Sequence, residues 1–166
     1  QDNIFLNDFE ASGRTNMGET SSHIVVKDSN GSGDIYTGSR DITIRRNVFL
    51  HWQGDSGTGF LLLGEDGQPF HEVDGALVEN NLFLGDSPLV MRAPFGIKGC
   101  RNVVFRHNTT VGDLPARALM RFNREGDNPV LTGIELYNNL WADDSGSLGA
   151  LDGSDGADFA DAAPGD

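Results

Sequence analysis

The chain carries one short pattern five times: Asp2-Asn3-Ile4-Phe5, Arg46-Asn47-Val48-Phe49, Asn80-Asn81-Leu82-Phe83, His107-Asn108-Thr109-Thr110 and Asn138-Asn139-Leu140-Trp141. Each sets an Asn before an apolar residue or Thr, and then an aromatic residue or Thr. The Asn-to-Asn spacings are 44, 34, 27 and 31 residues. A recurrence of roughly 20–50 residues with elastic length marks a solenoid, whose coil is constant while its loops vary.

The residues before each later Asn give the register. Three positions back stand Ile44, Val78, Phe105 and Leu136; five back stand Ile42, Ala76, Val103 and Ile134. All are apolar, while Arg45, Glu79, Arg106 and Tyr137 two back are polar or amphipathic. Period-two alternation predicts a strand with one buried face. A second strand family is expected at Ile24-Val25-Val26, Phe60-Leu61-Leu62-Leu63, Leu89-Val90-Met91 and Ala118-Leu119-Met120, and a short third one around Phe49, Phe83 and Trp141. The expected class is therefore all-β, with four to five coils stacked as parallel strands. An inward Asn amide, having both donors and an acceptor, would satisfy the buried turn and bond to the Asn of the next coil. Phe49, Phe83 and Trp141 would stack inside, with Thr110 as the gap.

A repeated apolar-x-x-Asn-x-aromatic coil with loops between resembles the right-handed parallel β-helix of the pectate lyase-like superfamily. The resemblance covers roughly residues 1–141. It is specific for the fold and weak for function, since one solenoid hosts many chemistries.

The repeats place the coils at 1–142. Periodicity stops at Asp143, and 143–166 reads as an acidic Gly/Ala/Asp-rich loop or tail. The chain opens inside the pattern, which reads as a mature fragment or a section of a longer solenoid. Its ends would associate end to end or with a continuing polypeptide. No run approaches the ~18 apolar residues of a membrane span. The single Cys100 excludes an internal disulfide and reads as a packing residue.

Formal net charge is −13. Seven of the 25 acidic residues lie in the tail, which has no Lys or Arg; the remainder, with 12 basic and 25 − 7 = 18 acidic residues, nets −6. This balance argues against nucleic acid as a partner. Within the tail, Asp152, Asp155, Asp158 and Asp161 recur every third residue. Clustered carboxylates suit Ca²⁺, although the spacing is not that of an EF-hand.

Lys27, Arg92 and Arg121 follow members of the second strand family and are expected on one outer face. In lyases of the resembled superfamily, such a Lys or Arg abstracts the proton alpha to a uronate carboxyl, and a cation neutralises that carboxyl. This requires a base of lowered pKa, whereas Asp28 beside Lys27 acts the other way. His51 and His71 are candidates to line a sugar site, with Trp52 as a stacking platform. His107 precedes a ladder Asn and reads as an exposed turn residue. There is no HExxH, GxSxG or phosphate loop, and the one Asp-Asp pair, Asp143-Asp144, does not match a polygalacturonase. The expectation is a secreted or cell-surface carbohydrate-active β-helix acting on a polysaccharide by β-elimination. The alternatives are a non-catalytic surface, adhesive or filament-forming solenoid, and a carbohydrate-binding solenoid without turnover.

Overall fold

The computed structural model describes residues 1–16, 22–28, 38–54, 58–86 and 90–144. Among them the chain is almost wholly β, with one short helix, α1 (Phe9–Ser12). Strands β1 (Ile4–Leu6), β4 (Val48–Trp52), β7 (Leu82–Asp86), β10 (Thr109–Asp113) and β13 (Leu140–Asp143) form sheet A in that order. Sheet B runs β2 (Ile24–Val26), β5 (Thr58–Leu63), β8 (Ala93–Lys98) and β11 (Met120–Asn123). Sheet C runs β3 (Ser39–Arg45), β6 (Val73–Glu79), β9 (Cys100–Arg106) and β12 (Thr132–Tyr137). Every pairing is parallel and joins a strand to its equivalent one coil later.

The architecture is a parallel β-solenoid of about three turns. The count is slightly below the four to five expected. Residues 29–37, between β2 and β3, lie outside the described residues.

The Asn ladder holds. Asn47 Oδ1 accepts the backbone N–H of Asn3 at 3.1 Å and its Nδ2 at 3.2 Å. Asn81 does the same for Asn47 at 3.0 and 3.0 Å, Asn108 for Asn81 at 3.1 and 2.9 Å, and Asn139 for Asn108 at 3.0 and 3.1 Å. The second amide hydrogen caps a strand carbonyl of the neighbouring rung: Ile44 O for Asn81, Val78 O for Asn108 and Phe105 O for Asn139. The preceding residues, Asp2, Arg46, Asn80, His107 and Asn138, all have φ between 51° and 61°. Among residues with a Cβ, Asn and Asp tolerate that left-handed conformation best. The chain pays for Arg and His there with a uniform turn that the ladder bonds hold in place.

Two residues past each Asn, Phe5, Phe49 and Phe83 stack inside at 4.7 and 4.6 Å between centroids. Thr110 fills the gap, and Trp141 lies against Phe105 at 6.2 Å. From sheet B come Leu61, Leu63, Phe95, Ile97, Met120 and Phe122; from sheet C come Ile44, Ala76, Val78, Val103, Phe105 and Ile134. Cys100 is buried among them, and burial pushes its thiol pKa up.

The second strand family needs correction in two rungs. The partner of Phe60–Leu63 is β8, with Leu61 opposite Phe95, and not Leu89–Met91; Leu89 lies outside the described residues. Likewise β11 begins at Met120, after Ala118 and Leu119. No helix among the described residues is long and apolar enough to cross a membrane.

Asn81→Leu orphans the Asn47 N–H and the Ile44 carbonyl together, at about 1–3 kcal/mol for each unsatisfied group. Arg45→Leu removes only an exposed bond to Gln1 and stays within about 0.5 kcal/mol. Urea unfolding followed by circular dichroism will show a lowered midpoint for the first variant and an unmoved one for the second; equal midpoints refute the ladder's structural role.

Candidate functional site

The uniform turn at the C-to-A corner dictates what sheet A shows to solvent. If the Asn and the aromatic two residues later point inward, the residues between and beyond them point out. Read along the strands, the outward series is Asp2-Ile4-Leu6, Arg46-Val48-Leu50, Asn80-Leu82-Leu84-Asp86, His107-Thr109-Val111-Asp113 and Asn138-Leu140-Ala142. Two adjacent columns are thus aliphatic, Thr109 excepted. None of their members is buried, and Ile4, Leu6 and Leu140 are 72, 62 and 56% exposed. The outward positions of sheet C are different in kind: Arg45, Glu79, Arg106 and Tyr137 form one of its columns, and Thr43, Leu77, Val104 and Glu135 the other. Parallel sheets normally have both faces covered, and a contiguous apolar patch rimmed by polar residues marks an association surface.

Both margins of this face are polar. Upstream stand Arg46, Asn80 and His107, which with Val48, Leu82 and Thr109 line an open groove of about 460 Å³ beside the ladder. Arg46 is bidentate to Asp2, at 2.8 and 2.7 Å. The Asn138 amide contacts His107 Nε2 at 3.3 Å, and the Tyr137 ring meets the imidazole edge-on. Downstream stand Asp86 and Asp113, in register, followed by Asp144 at the end of the next rung, whereas Asp143, opposite Gly112, accepts the Leu114 N–H at 2.9 Å. His51 is held by Asp86 through Nδ1.

A second built feature lies at the B-to-C corner, where the loop 64–72 reaches over the third rung to the loop 124–131. Glu72 is fully buried. Its carboxylate accepts the backbone N–H groups of Glu65, Asp66 and Gly67 at 2.7, 2.8 and 2.7 Å, and the Asn128 amide at 2.9 Å. Burial works to raise its pKa, but this nest of donors outweighs burial and holds the carboxyl below its usual range. The third rung makes this possible by turning on Gly99 alone. Gly64 is obligatory beside it, since a Cβ there would lie 1.9 Å from the Lys98 carbonyl oxygen. Lys98, itself buried, bonds Glu125 at 2.6 Å.

The cations proposed for base chemistry are not brought together. Lys27 follows β2 and is bridged at 3.1 Å to both Glu65 and Asp66. The bond to Glu65, then that to Asp66, pushes its pKa up, so the ammonium stays charged. Arg92 precedes β8, and its carbonyl accepts from Ala118. Arg121 is inside β11, opposite Gly96, and 3% exposed. Arg92 and the Arg121 register line are four residues apart, about 13 Å, and Lys27 lies three rungs from Arg121, about 14 Å. Arg121 is within sheet B, whereas Lys27 and Arg92 stand just beyond the ends of β2 and β8.

Trp52 is fully buried and offers no face to a sugar. A bulge with His51 at φ 54° reverses the alternation there, turning His51 out and Trp52 in. His71 bonds the Val130 carbonyl at 3.0 Å at a different corner from His51. Asp152, Asp155 and Asp158 lie outside the described residues. Among the described residues no three His, Cys, Asp or Glu side chains are grouped to hold a metal ion. His23 stacks on Phe60 at 5.7 Å, and burial lowers its pKa to about 4, which makes it a neutral core residue at pH 7.

Sequence reasoning missed Glu72, Lys98 and the apolar face. The face was signalled by Val48, Leu82 and Leu140 directly after each ladder Asn. No family model matches the chain, and comparisons with curated proteins and with solved structures give no match either.

Glu72→Gln turns one acceptor into a donor facing N–H groups and will destabilise by about 1–3 kcal/mol. The pKa of Glu72 is lower folded than unfolded, so its contribution is complete above the ordinary Glu value of about 4.3 and is lost as pH falls through the folded value. Unfolding midpoints between pH 7 and pH 3 will therefore converge for wild type and variant; a constant gap refutes the assignment.

Proposed function

We propose that the chain is a non-catalytic β-solenoid module that works by association through the outer face of sheet A. One observation carries this reading: two outward aliphatic columns run the length of the solenoid between polar margins, half-buried on β4, β7 and β10 and exposed at Ile4, Leu6 and Leu140 on the end strands. The state of the cations supports it. Lys27, Lys98, Arg46, Arg101 and Arg106 are each held by a carboxylate. Asp74 shows how firmly: the Arg101 guanidinium, helped by Asn102, draws its pKa down to about 2. A paired cation stabilises its own protonated form, the opposite of what a general base needs. Membership of the right-handed, pectate lyase-like β-helices agrees with the Asn ladder and would add an extracellular or cell-surface setting.

A lyase-like enzyme acting on a polysaccharide is the second reading. Arg121 favours it, as a buried guanidinium on the outward side of sheet B beside Gly96 and Leu62.

Two measurements separate the readings. Incubation with a panel of uronate polymers, with and without Ca²⁺, will give no ultraviolet absorbance from unsaturated product. A rise that Arg92→Ala and Arg121→Ala each abolish would establish the enzyme instead. An anilinonaphthalene dye will fluoresce with the native protein, and Leu82→Asp will reduce that signal several-fold; dye binding indifferent to this change refutes the association face.

A further inference from the structure

The outer face of sheet A is self-complementary, and we infer that it pairs with the same face of a second copy. This rests on the association reading above and names the partner. Along β7 the outward order is amide, aliphatic, aliphatic, carboxylate: Asn80, Leu82, Leu84, Asp86. Along β10 it is imidazole, Thr109, Val111, carboxylate. Donor-bearing side chains stand on the upstream margin of both rungs and carboxylates on the downstream margin.

A two-fold axis parallel to the solenoid axis reverses strand direction across the interface and leaves the rung order unchanged. Each rung then meets itself. Leu82 faces the partner copy's leucine at position 84, Asn80 faces a carboxylate at 86, and His107 faces one at 113. The other face-to-face two-fold, along the strands, sets carboxylate margin against carboxylate margin and is repelled. In the β7 and β10 rungs donor–carboxylate complementarity favours the first arrangement, while in the β4 rung Arg46 and His51 meet with each already held by its own carboxylate, Asp2 and Asp86; an isologous contact of this kind closes as a dimer. Face-packed sheets lie about 10 Å apart with strands within about 30° of alignment, which the aliphatic columns fill.

The size of the face sets the strength. Five rungs of ~4.8 Å and about six residue steps of ~3.3 Å give a plan area of roughly 500 Å² per copy. Stable complexes bury about 800 Å² per partner, so the dimer is reversible and concentration-dependent. The downstream margin, with Asp86 held by His51 and Asp113 and Asp144 beside it, offers carboxylates to a donor-bearing edge.

Sedimentation velocity of the full chain from micromolar to millimolar concentration tests this. The expected result is a shift from the 17.9 kDa monomer to twice that mass. Leu84→Asp places a charge at the half-buried centre of this face and will shift the dissociation constant at least tenfold, with the circular dichroism spectrum and urea midpoint as checks on folding. His107→Asp sets acid against Asp113 and weakens the dimer; His107→Asp with Asp113→Lys exchanges the margins and restores it. A wild type that stays monomeric at millimolar concentration, or a dimer indifferent to Leu84→Asp and to the exchange, overturns the inference. A monomer that still binds the dye loses the self-pairing and leaves the association reading standing.

Discussion

Everything in this solenoid depends on one two-fold acceptor. Each ladder Oδ1 takes both the backbone N–H and the side-chain N–H of the Asn one rung before it, at 2.9–3.2 Å. Two bonds into one atom fix the height of a rung and the rotation of its turn together. The left-handed residue before the Asn is then required, because only that conformation lets the strand leave sheet C and start sheet A with two residues between. Once the Asn points inward, parity decides the rest: aromatic in, aliphatic out, aliphatic out. The core stack and the exposed apolar face are consequences of the same bond.

The parts of the fold legible in the sequence are those that repeat in phase. Sheet C could be read because Ile44, Val78, Phe105 and Ile134 alternate with polar neighbours, one face being wet. Sheet B could not be read in the same way. Its strands β5 and β8 are buried at every position, and a strand buried on both faces loses alternation. In β8 the strand holds Pro94 and Gly96, residues that argue against a strand, while the apolar triplet Leu89-Val90-Met91 imitates one. The shift of register followed from that imitation, and with it the expectation that Arg92 and Arg121 close equivalent strands. The bulge at His51 is invisible for a further reason: nothing in Leu50-His51-Trp52 announces a left-handed residue, so Trp52 reads as an exposed platform when it is core.

Ion pairs explain the gap between a basic stripe and a basic site. In a parallel solenoid, residues some 27–44 positions apart become lateral neighbours, as Arg106 and Glu79 or Arg46 and Asp2 do. A cation read along the chain therefore looks unpaired until the rungs are stacked. Single exposed pairs contribute little to stability, but they remove a cation from acid–base work by holding its proton. With 25 acidic residues against 12 basic, stacking finds a carboxylate for many of the cations. The buried Glu72 is the reverse case. Its partners are mostly backbone N–H groups of its own loop, which no residue pattern records.

The three corners differ in a way that bears on where recognition belongs. Between sheets B and C the connections run from the single Gly99 to the stretch 27–38, and between A and B they are longer than the turn in every rung. Between C and A, the connection is two residues in all four rungs: Arg46-Asn47, Asn80-Asn81, His107-Asn108 and Asn138-Asn139. Loops of variable length suit a ligand that is itself irregular, because each loop is free to reach differently. A corner without variation produces a surface with translational order, one polar residue and two further outward residues per rung at a fixed spacing, aliphatic throughout except at Thr109. The partner that matches such a surface best has the same period. Another polypeptide solenoid has it necessarily, since its own rungs are spaced by the same backbone hydrogen bonds. The constancy of the turn therefore favours a protein of the same construction as the ligand of sheet A, and it does so independently of the charges at its margins.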